Sequence, residues 1–269
     1  MKRLVAAVAV LVALGLGAKL DSQYFSLKQW REVAERGDAR AQTTVGRMYA
    51  SGTAAPQDAV EAVRWYRFAA EQDYGPAQIE LGVMYEEGRG VLQDYAEAIR
   101  WYQLAADRGH VSAQKKLGIL FEEGRGVPQD SVEANRRYEL AAGQWLRLAE
   151  QGNGEARYNL GILYEEGRGV PRDYAEAARW YCLAAEQGVA GAQNNLGLMY
   201  ARGIRSGLPL DFVEAYRWLY ISVAWYFFGD KELKDRQANL DRVGTTMTAG
   251  QRIEATRLAN DWLDSKPVF

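Results

Sequence analysis

One segment is written five times along this chain, and a chain that repeats at such a period buries its apolar residues by stacking the copies. The copies centre on Gly46, Gly82, Gly118, Gly161 and Gly197, spaced 36, 36, 43 and 36 residues apart. Each opens on an alanine: Ala41, Ala77, Ala113, Ala156 or Ala192. Val45, Leu81, Leu117, Leu160 or Leu196 precedes the glycine, and Tyr49, Tyr85, Phe121, Tyr164 or Tyr200 follows it by three residues. Offsets of four and four put these side chains on one face of a helix, here helix A. A mid-helix glycine costs about 1 kcal/mol relative to alanine. Five recurrences of that cost predict the close approach of a second helix, where a Cβ would collide.

That second helix, helix B, follows each time. Asp58, Asp94, Asp130, Asp173 and Asp211 stand three residues before Glu61, Glu97, Glu133, Glu176 and Glu214. The pattern predicts a capping box, the aspartate accepting from an orphan amide and the glutamate reaching back. Both charges suit the positive end of the helix dipole. An aromatic pair and a small pair fill the helix, as in Trp65-Tyr66 with Ala69-Ala70 and Trp180-Tyr181 with Ala184-Ala185. Gly109, Gly152 and Gly188 are expected to stop helix B, and Gly88, Gly124 and Gly167, in three E-E-G-R-G-V loops, to stop helix A.

The ends and the irregular spacing have their own readings. Trp30, Ala34 and Gly37 look like the second half of a repeat, so residues 24–37 read as an N-terminal capping helix. The longer spacing comes from seven extra residues near Gly143 to Ala149. Seven residues turn about 700°. Helix B of the third copy therefore either lengthens with its buried face preserved, aligning Trp145 with Tyr138, or breaks at Gly143. After Gly203 the pattern decays into Trp218, Leu219, Ile221, Val223, Trp225, Tyr226, Phe227 and Phe228, an apolar helix too short to span a membrane. Thr248 to Gln251 is another capping box, and Ile253, Ala255, Leu258, Ala259 and Trp262 form the apolar face after it. The organisation expected is a signal peptide or N-terminal anchor over 1–20, a repeat array over 24–228 and a C-terminal helical cap over 229–264. The fold class is all-α, about five helix pairs between N- and C-terminal capping helices.

Composition narrows the function. A net charge of −2 over 269 residues supplies no basic excess for nucleic acid. The single cysteine, Cys182, excludes an intramolecular disulfide framework and a cysteine-cluster metal site. Lys2 and Arg3 precede fifteen largely apolar residues from Leu4 to Ala18. That length fits a signal-peptide core better than a span of about 20 residues. An exported, periplasmic protein cut after Gly17 is the first expectation; an inner-membrane anchor through uncleaved residues 4–18 is the second.

These residues resemble the Sel-1-like repeat family, relatives of the tetratricopeptide repeat, from residue 24 to about 226. The resemblance rests on A-x-x-x-L-G-x-x-Y in helix A, the G-x-G-V loop, the aspartate starting helix B and the W-Y-x-x-A-A within it. The third copy departs, with Arg137 in place of tryptophan. The resemblance implies a right-handed α/α superhelical solenoid and adaptor work in signalling, secretion, envelope assembly or host interaction. By analogy with tetratricopeptide-like proteins, a protein or peptide partner would lie in a concave groove lined by helix A. It would meet Thr43, Ile79, Lys115, Tyr158 and Asn194, whose chemistry varies as a recognition surface should. The companion set Arg47, Val83, Ile119, Ile162 and Leu198 is mostly apolar and reads as inter-repeat core.

No constellation for catalysis, metal or cofactor emerges. Ser112 and Lys115 form an S-x-x-K without the further motifs of penicillin-binding enzymes, and Ser112 occupies a repeat position held elsewhere by Pro76, Glu155 and Gly191. The glutamate pairs 86-87, 122-123 and 165-166 recur with the repeat and read as loop-bracing partners of Arg89, Arg125 and Arg168. His110 is the sole histidine. Cys182 falls on an exposed repeat position, open to an intermolecular disulfide or simply a tolerated thiol. The leading expectation is a non-catalytic interaction scaffold. A peptidoglycan- or glycan-binding envelope module is the alternative, although most Trp and Tyr residues fall at core positions. A β-lactam or cell-wall-acting enzyme stands third.

Overall fold

The computed structural model describes residues 27–203, 207–224 and 232–266. The segment 1–20, read as a signal peptide or anchor, and Trp225, Tyr226, Phe227 and Phe228 lie outside the described residues. The described residues form helices and no strand. The chain divides into two compact units, one ending at Arg108 and the other beginning at Gly109.

The first unit holds α1 (Leu27–Ala34), α2 (Ala39–Ser51), α3 (Ala59–Ala70), α4 (Gly75–Glu87) and α5 (Tyr95–Asp107). Helices α2 and α4 are helices A, and α3 and α5 are helices B. Each A packs on its own B, α1 packs on α2, and α3 on α4. The second unit holds α6 (Val111–Glu123), α7 (Ser131–Glu150), α8 (Gly154–Glu166), α9 (Tyr174–Ala185), α10 (Ala190–Arg202) and α11 (Phe212–Ala224), then α12 (Leu233–Thr245) and α13 (Ala249–Asp264). Here α6, α8 and α10 are helices A, each packed on the B that follows, and α12 and α13 both rest on α11.

The repeated glycines do sit at close approaches, but mostly against a tyrosine ring of helix B rather than its backbone. A Cβ on Gly82 would stand 2.5 Å from the ring of Tyr102, and one on Gly161 2.6 Å from that of Tyr181. Only the last copy differs: at Gly197 the neighbours are Leu219 and the carbonyl of Ala215. In three copies the ring is also held in place, because its phenol donates to the first glutamate of the loop that precedes its own helix B. Tyr102 donates to Glu86 at 2.6 Å, Tyr138 to Glu122 at 2.8 Å and Tyr181 to Glu165 at 2.7 Å. The second glutamate of each pair holds the loop arginine: Glu87 with Arg89, Glu123 with Arg125 and Glu166 with Arg168.

The helix B starts differ from the expected capping box in one respect. Each aspartate accepts from the next two helical amides, as Asp94 does from Ala96 and Glu97 at 2.9 and 3.1 Å. The glutamates do not reach back. The aspartate's own amide donates instead to the aromatic residue of helix A: Asp58 to Tyr49, Asp94 to Tyr85, Asp130 to Phe121, Asp173 to Tyr164 and Asp211 to Tyr200. With that donor satisfied, each glutamate pairs with the arginine three residues on, as in Glu97–Arg100 and Glu176–Arg179. The complete box expected at Thr248 and Gln251 is present.

The seven-residue insertion lengthens its helix. Helix α7 runs unbroken for 20 residues and buries Tyr138 and Trp145 on one face. Arg137, which replaces the repeat tryptophan, pairs with Glu133 at 2.6 Å and donates to Gln114 at 3.3 Å.

A buried polar residue ties successive repeats together. Gln42 donates to Ala34 O at 3.1 Å and Gln78 to Ala70 O at 3.2 Å. In the second unit Arg157 donates to Ala149 O at 3.0 Å and Gln193 to Ala185 O at 3.1 Å. Each adds a second donor to a carbonyl at the end of the preceding helix that also accepts the turn amide three residues on. Gln193→Leu should cost about 0.5–1.5 kcal/mol, the net worth of one hydrogen bond, since Ala185 O keeps the amide of Gly188 at 2.9 Å. Gln151→Leu, on an exposed side chain, is the control for chemical denaturation; equal stability of the two variants would refute the assignment.

Candidate functional site

The five helix A positions expected to meet a partner do not share one environment. Thr43 is corrected: it is 2% exposed, and its hydroxyl donates to Ala39 O at 2.8 Å. A short β-branched side chain folds back onto its own helix and offers nothing to a partner. Ile79 lies half-buried on α4, and the neighbouring Glu80 pairs with Arg47 at 2.9 Å. Lys115, Tyr158 and Asn194 are each half-buried, on α6, α8 and α10.

Their surroundings in the second unit define the chemistry available. The Lys115 ammonium stands 5.9 Å from the ring of Trp145, which the lengthened α7 puts in place. Burial lowers the Lys115 pKa, the expected direction for a cation withdrawn from water. The Tyr158 ring lies 6.0 Å from that of Tyr181 and over Gly191, where a Cβ would come within 2.7 Å. Burial raises the Tyr158 pKa, with Glu232 and Arg236 among the charges acting on it. Asn194 accepts from Asn239 of α12 at 3.0 Å. The companion positions Ile119, Ile162 and Leu198 pack against the interior clusters. The face thus presents a cation, a phenol and an amide over an apolar floor, suited to recognition by hydrogen bonding and packing.

A second concavity, of about 890 Å³, lies among the loop ends of the second unit. Its charges already face one another. Arg168 pairs with Glu122 at 3.0 Å and Glu166 at 2.8 Å, and Arg202 reaches Glu165 at 3.4 Å. Glu122 and Glu165 also accept the phenols of Tyr138 and Tyr181. This is bracing between repeats, as the recurring glutamate pairs suggested. Cys182 is exposed, and burial of its surroundings pushes the thiol pKa up, which disfavours the thiolate needed for disulfide exchange.

Sequence reasoning missed the contact between Asn194 and Asn239, because nothing in the repeat says where a C-terminal helix will land. It also passed over the buried glutamines, although their signal is plain: Gln42, Gln78, Gln114 and Gln193 each follow the alanine that opens helix A.

Stacked helix pairs, ringed glycines and a face of varied side chains over an apolar floor define an all-α repeat protein of the solenoid class. The family model for the Sel1 repeat matches residues 39–74, 75–110, 111–144, 154–189 and 190–224, and the chain belongs to the Sel1 repeat family. Proteins of this family generally act as protein–protein interaction modules and are typically non-catalytic scaffolds. Among solved structures, a Sel1 repeat protein from Oxalobacter formigenes is 30% identical, with 85% of each chain covered and a TM-score of 0.56. A sel1 repeat protein from Klebsiella pneumoniae subsp. pneumoniae is 20% identical, covering 82% of this chain and 100% of its own, with a TM-score of 0.51, and shares the fold. No curated protein matches the chain. Among the described residues no helix is long and apolar enough to cross a membrane.

Proposed function

We propose that this protein is an exported, non-catalytic scaffold that binds a helical segment of a protein partner along its helix A face, with Lys115, Tyr158 and Asn194 among the contacts. One observation carries the reading: Asn194, a recognition position by analogy with tetratricopeptide-like proteins, is bonded to Asn239 of a helix outside the repeats. A surface that seats one amphipathic helix has the shape and polarity to seat another. Lys115 adds a half-buried cation, whose withdrawal from water a partner carboxylate would offset.

The test is a crosslinked pull-down from envelope fractions with the full chain, its first twenty residues included. Lys115→Ala/Tyr158→Ala/Asn194→Ala should recover one protein at least about tenfold less well than wild type, since loss of a single hot-spot side chain costs about 2 kcal/mol or more. Circular dichroism should show unchanged helicity. Equal recovery by both chains, or retention of both on peptidoglycan with no protein recovered, would overturn the proposal.

A further inference from the structure

The helix that reaches Asn194 is unlike its neighbours in how it is held. Of its thirteen residues α12 buries Arg236, Leu240, Val243 and Gly244. With Met247 just past its end, also buried, the residues Arg236, Leu240, Val243 and Met247 stand at i, i+4, i+7 and i+11. That is the spacing of an amphipathic helix laid into a groove. Leu240, Val243 and Met247 share a cluster with Leu198, Tyr200 and Ala201 of α10 and with residues of α11. Asn239 donates to Asn194 at 3.0 Å, and the charges of Glu232 and Arg236 act on Tyr158 of α8. Its start has no side-chain cap hydrogen bond. The following helix touches it through Arg252, which donates to Gly244 O at 3.3 Å, and has further anchors of its own. Helix α13 has a complete capping box. Its Trp262 meets the ring of Trp218 at 5.9 Å and donates to Glu186 at 3.0 Å.

Asn194, taken as a recognition residue by analogy with tetratricopeptide-like proteins, is therefore a position this helix reaches. We propose that Leu233–Thr245 is an intramolecular ligand of the last repeat, seated on α11 and along the Asn194 edge of α10, an autoinhibitory helix that a partner's amphipathic helix of the same apolar spacing displaces. The proposal rests on the scaffold reading above for the partner, but the contact between helix and face stands without it. Displacement costs α13 its Arg252 bond to Gly244 O but leaves Trp262 held by Trp218 and Glu186. Each partner-binding event then begins with release of α12, so the apparent affinity falls by the fraction of chains in which the face is free.

The probe is a fluorescent peptide of residues 232–247, added to the full chain. Leu240→Asp/Val243→Asp removes the apolar anchors of the resident helix and frees the face. That variant should bind the peptide at least about tenfold more tightly than wild type. Ile253→Asp, on an exposed position of α13, should bind like wild type. Hydrogen exchange on the unmodified chain provides the second measurement. Amides of 233–245 should open about tenfold or more as often as those of 190–202 and 249–264. Equal protection across the three helices, or no peptide binding to the doubly substituted chain, overturns the proposal. Should the pull-down find no partner while the peptide binds as expected, the scaffold reading fails and the intramolecular contact survives. Partner capture that is the same for wild type and the doubly substituted chain removes the autoinhibition and keeps the scaffold.

Discussion

Gly169→Ala is expected to destabilise the second unit by about 3 kcal/mol or more, whereas Gly188→Ala should cost only about 1–2 kcal/mol. Both glycines have positive φ, +69° and +83°, so both substitutions force an L-residue into the left-handed region. The difference is space. A Cβ on Gly169 would come within 2.3 Å of the backbone of Tyr138 and 2.5 Å of the amide nitrogen of Glu139; around Gly188 nothing lies within 4 Å. Backbone in mid-helix cannot yield as a side-chain tip can, so the loop would lift off α7 and weaken the Arg168 pairs. Gly169→Asn separates the two costs, because asparagine tolerates the left-handed region but keeps the Cβ. It should remain costly at 169 and become nearly neutral at 188. Chemical denaturation of the four variants checks this, and equal midpoints at the two sites would falsify the packing account. A folded protein holds only about 5–15 kcal/mol in reserve, so the larger effect would be visible as lost expression.

Alkaline pH should unfold the protein steeply. Tyr66 and Tyr102 in the first unit, and Tyr138 and Tyr181 in the second, are at most 2% exposed. Their phenol pKa values are all raised, first by burial. Glutamate partners add to the rise: Glu86 for Tyr102, Glu122 for Tyr138 and Glu165 for Tyr181. A raised pKa means that the folded state holds its proton where the unfolded chain has released it. The stabilisation is complete below the unfolded value of about 10 and is lost as pH rises above it. Each tyrosine contributes about 1.4 kcal/mol per pH unit, so the first unit, with two, should lose roughly 3 kcal/mol per unit above about pH 10, and the second, where Tyr158 and Tyr200 are raised as well, more than that. Tyrosinate absorbance from these residues should appear together with loss of helical circular dichroism. Its appearance in a still-helical chain would show that the four phenols ionise in place and would refute the prediction. Tyr181→Phe should lower the alkaline slope of the second unit by about 1.4 kcal/mol per pH unit.

Function was legible to the level of an interaction module, and no further. The repeat pattern names positions on helix A, but whether a position is open depends on the side chain there and on what lands upon it. Thr43 shows the first dependence: its hydroxyl finds a carbonyl one turn back. Asn194 shows the second: the Asn239 that meets it lies 45 residues away along the chain. Lys115 has Trp145 beside it because seven inserted residues carried α7 onward by two turns, a consequence that periodicity could state only as one of two alternatives.

What local order could settle, it settled. The four-residue spacing of Ala, Leu and Tyr, the aspartates before helix B and the glycines after both helices follow from helix geometry and from amides and carbonyls that each helix leaves open at its ends. Those forces act within a few residues, so the letters alone carry them. The reciprocal half of the capping box, the tyrosine ring that covers four of the five repeat glycines, the bonds from Gln42, Gln78 and Gln193 to the preceding helix, and the seat of α12 on α11 and α10 depend on groups brought together from distant parts of the chain. There, competition among several possible partners for one donor or one face decides the outcome, and that competition exists only once the helices have packed.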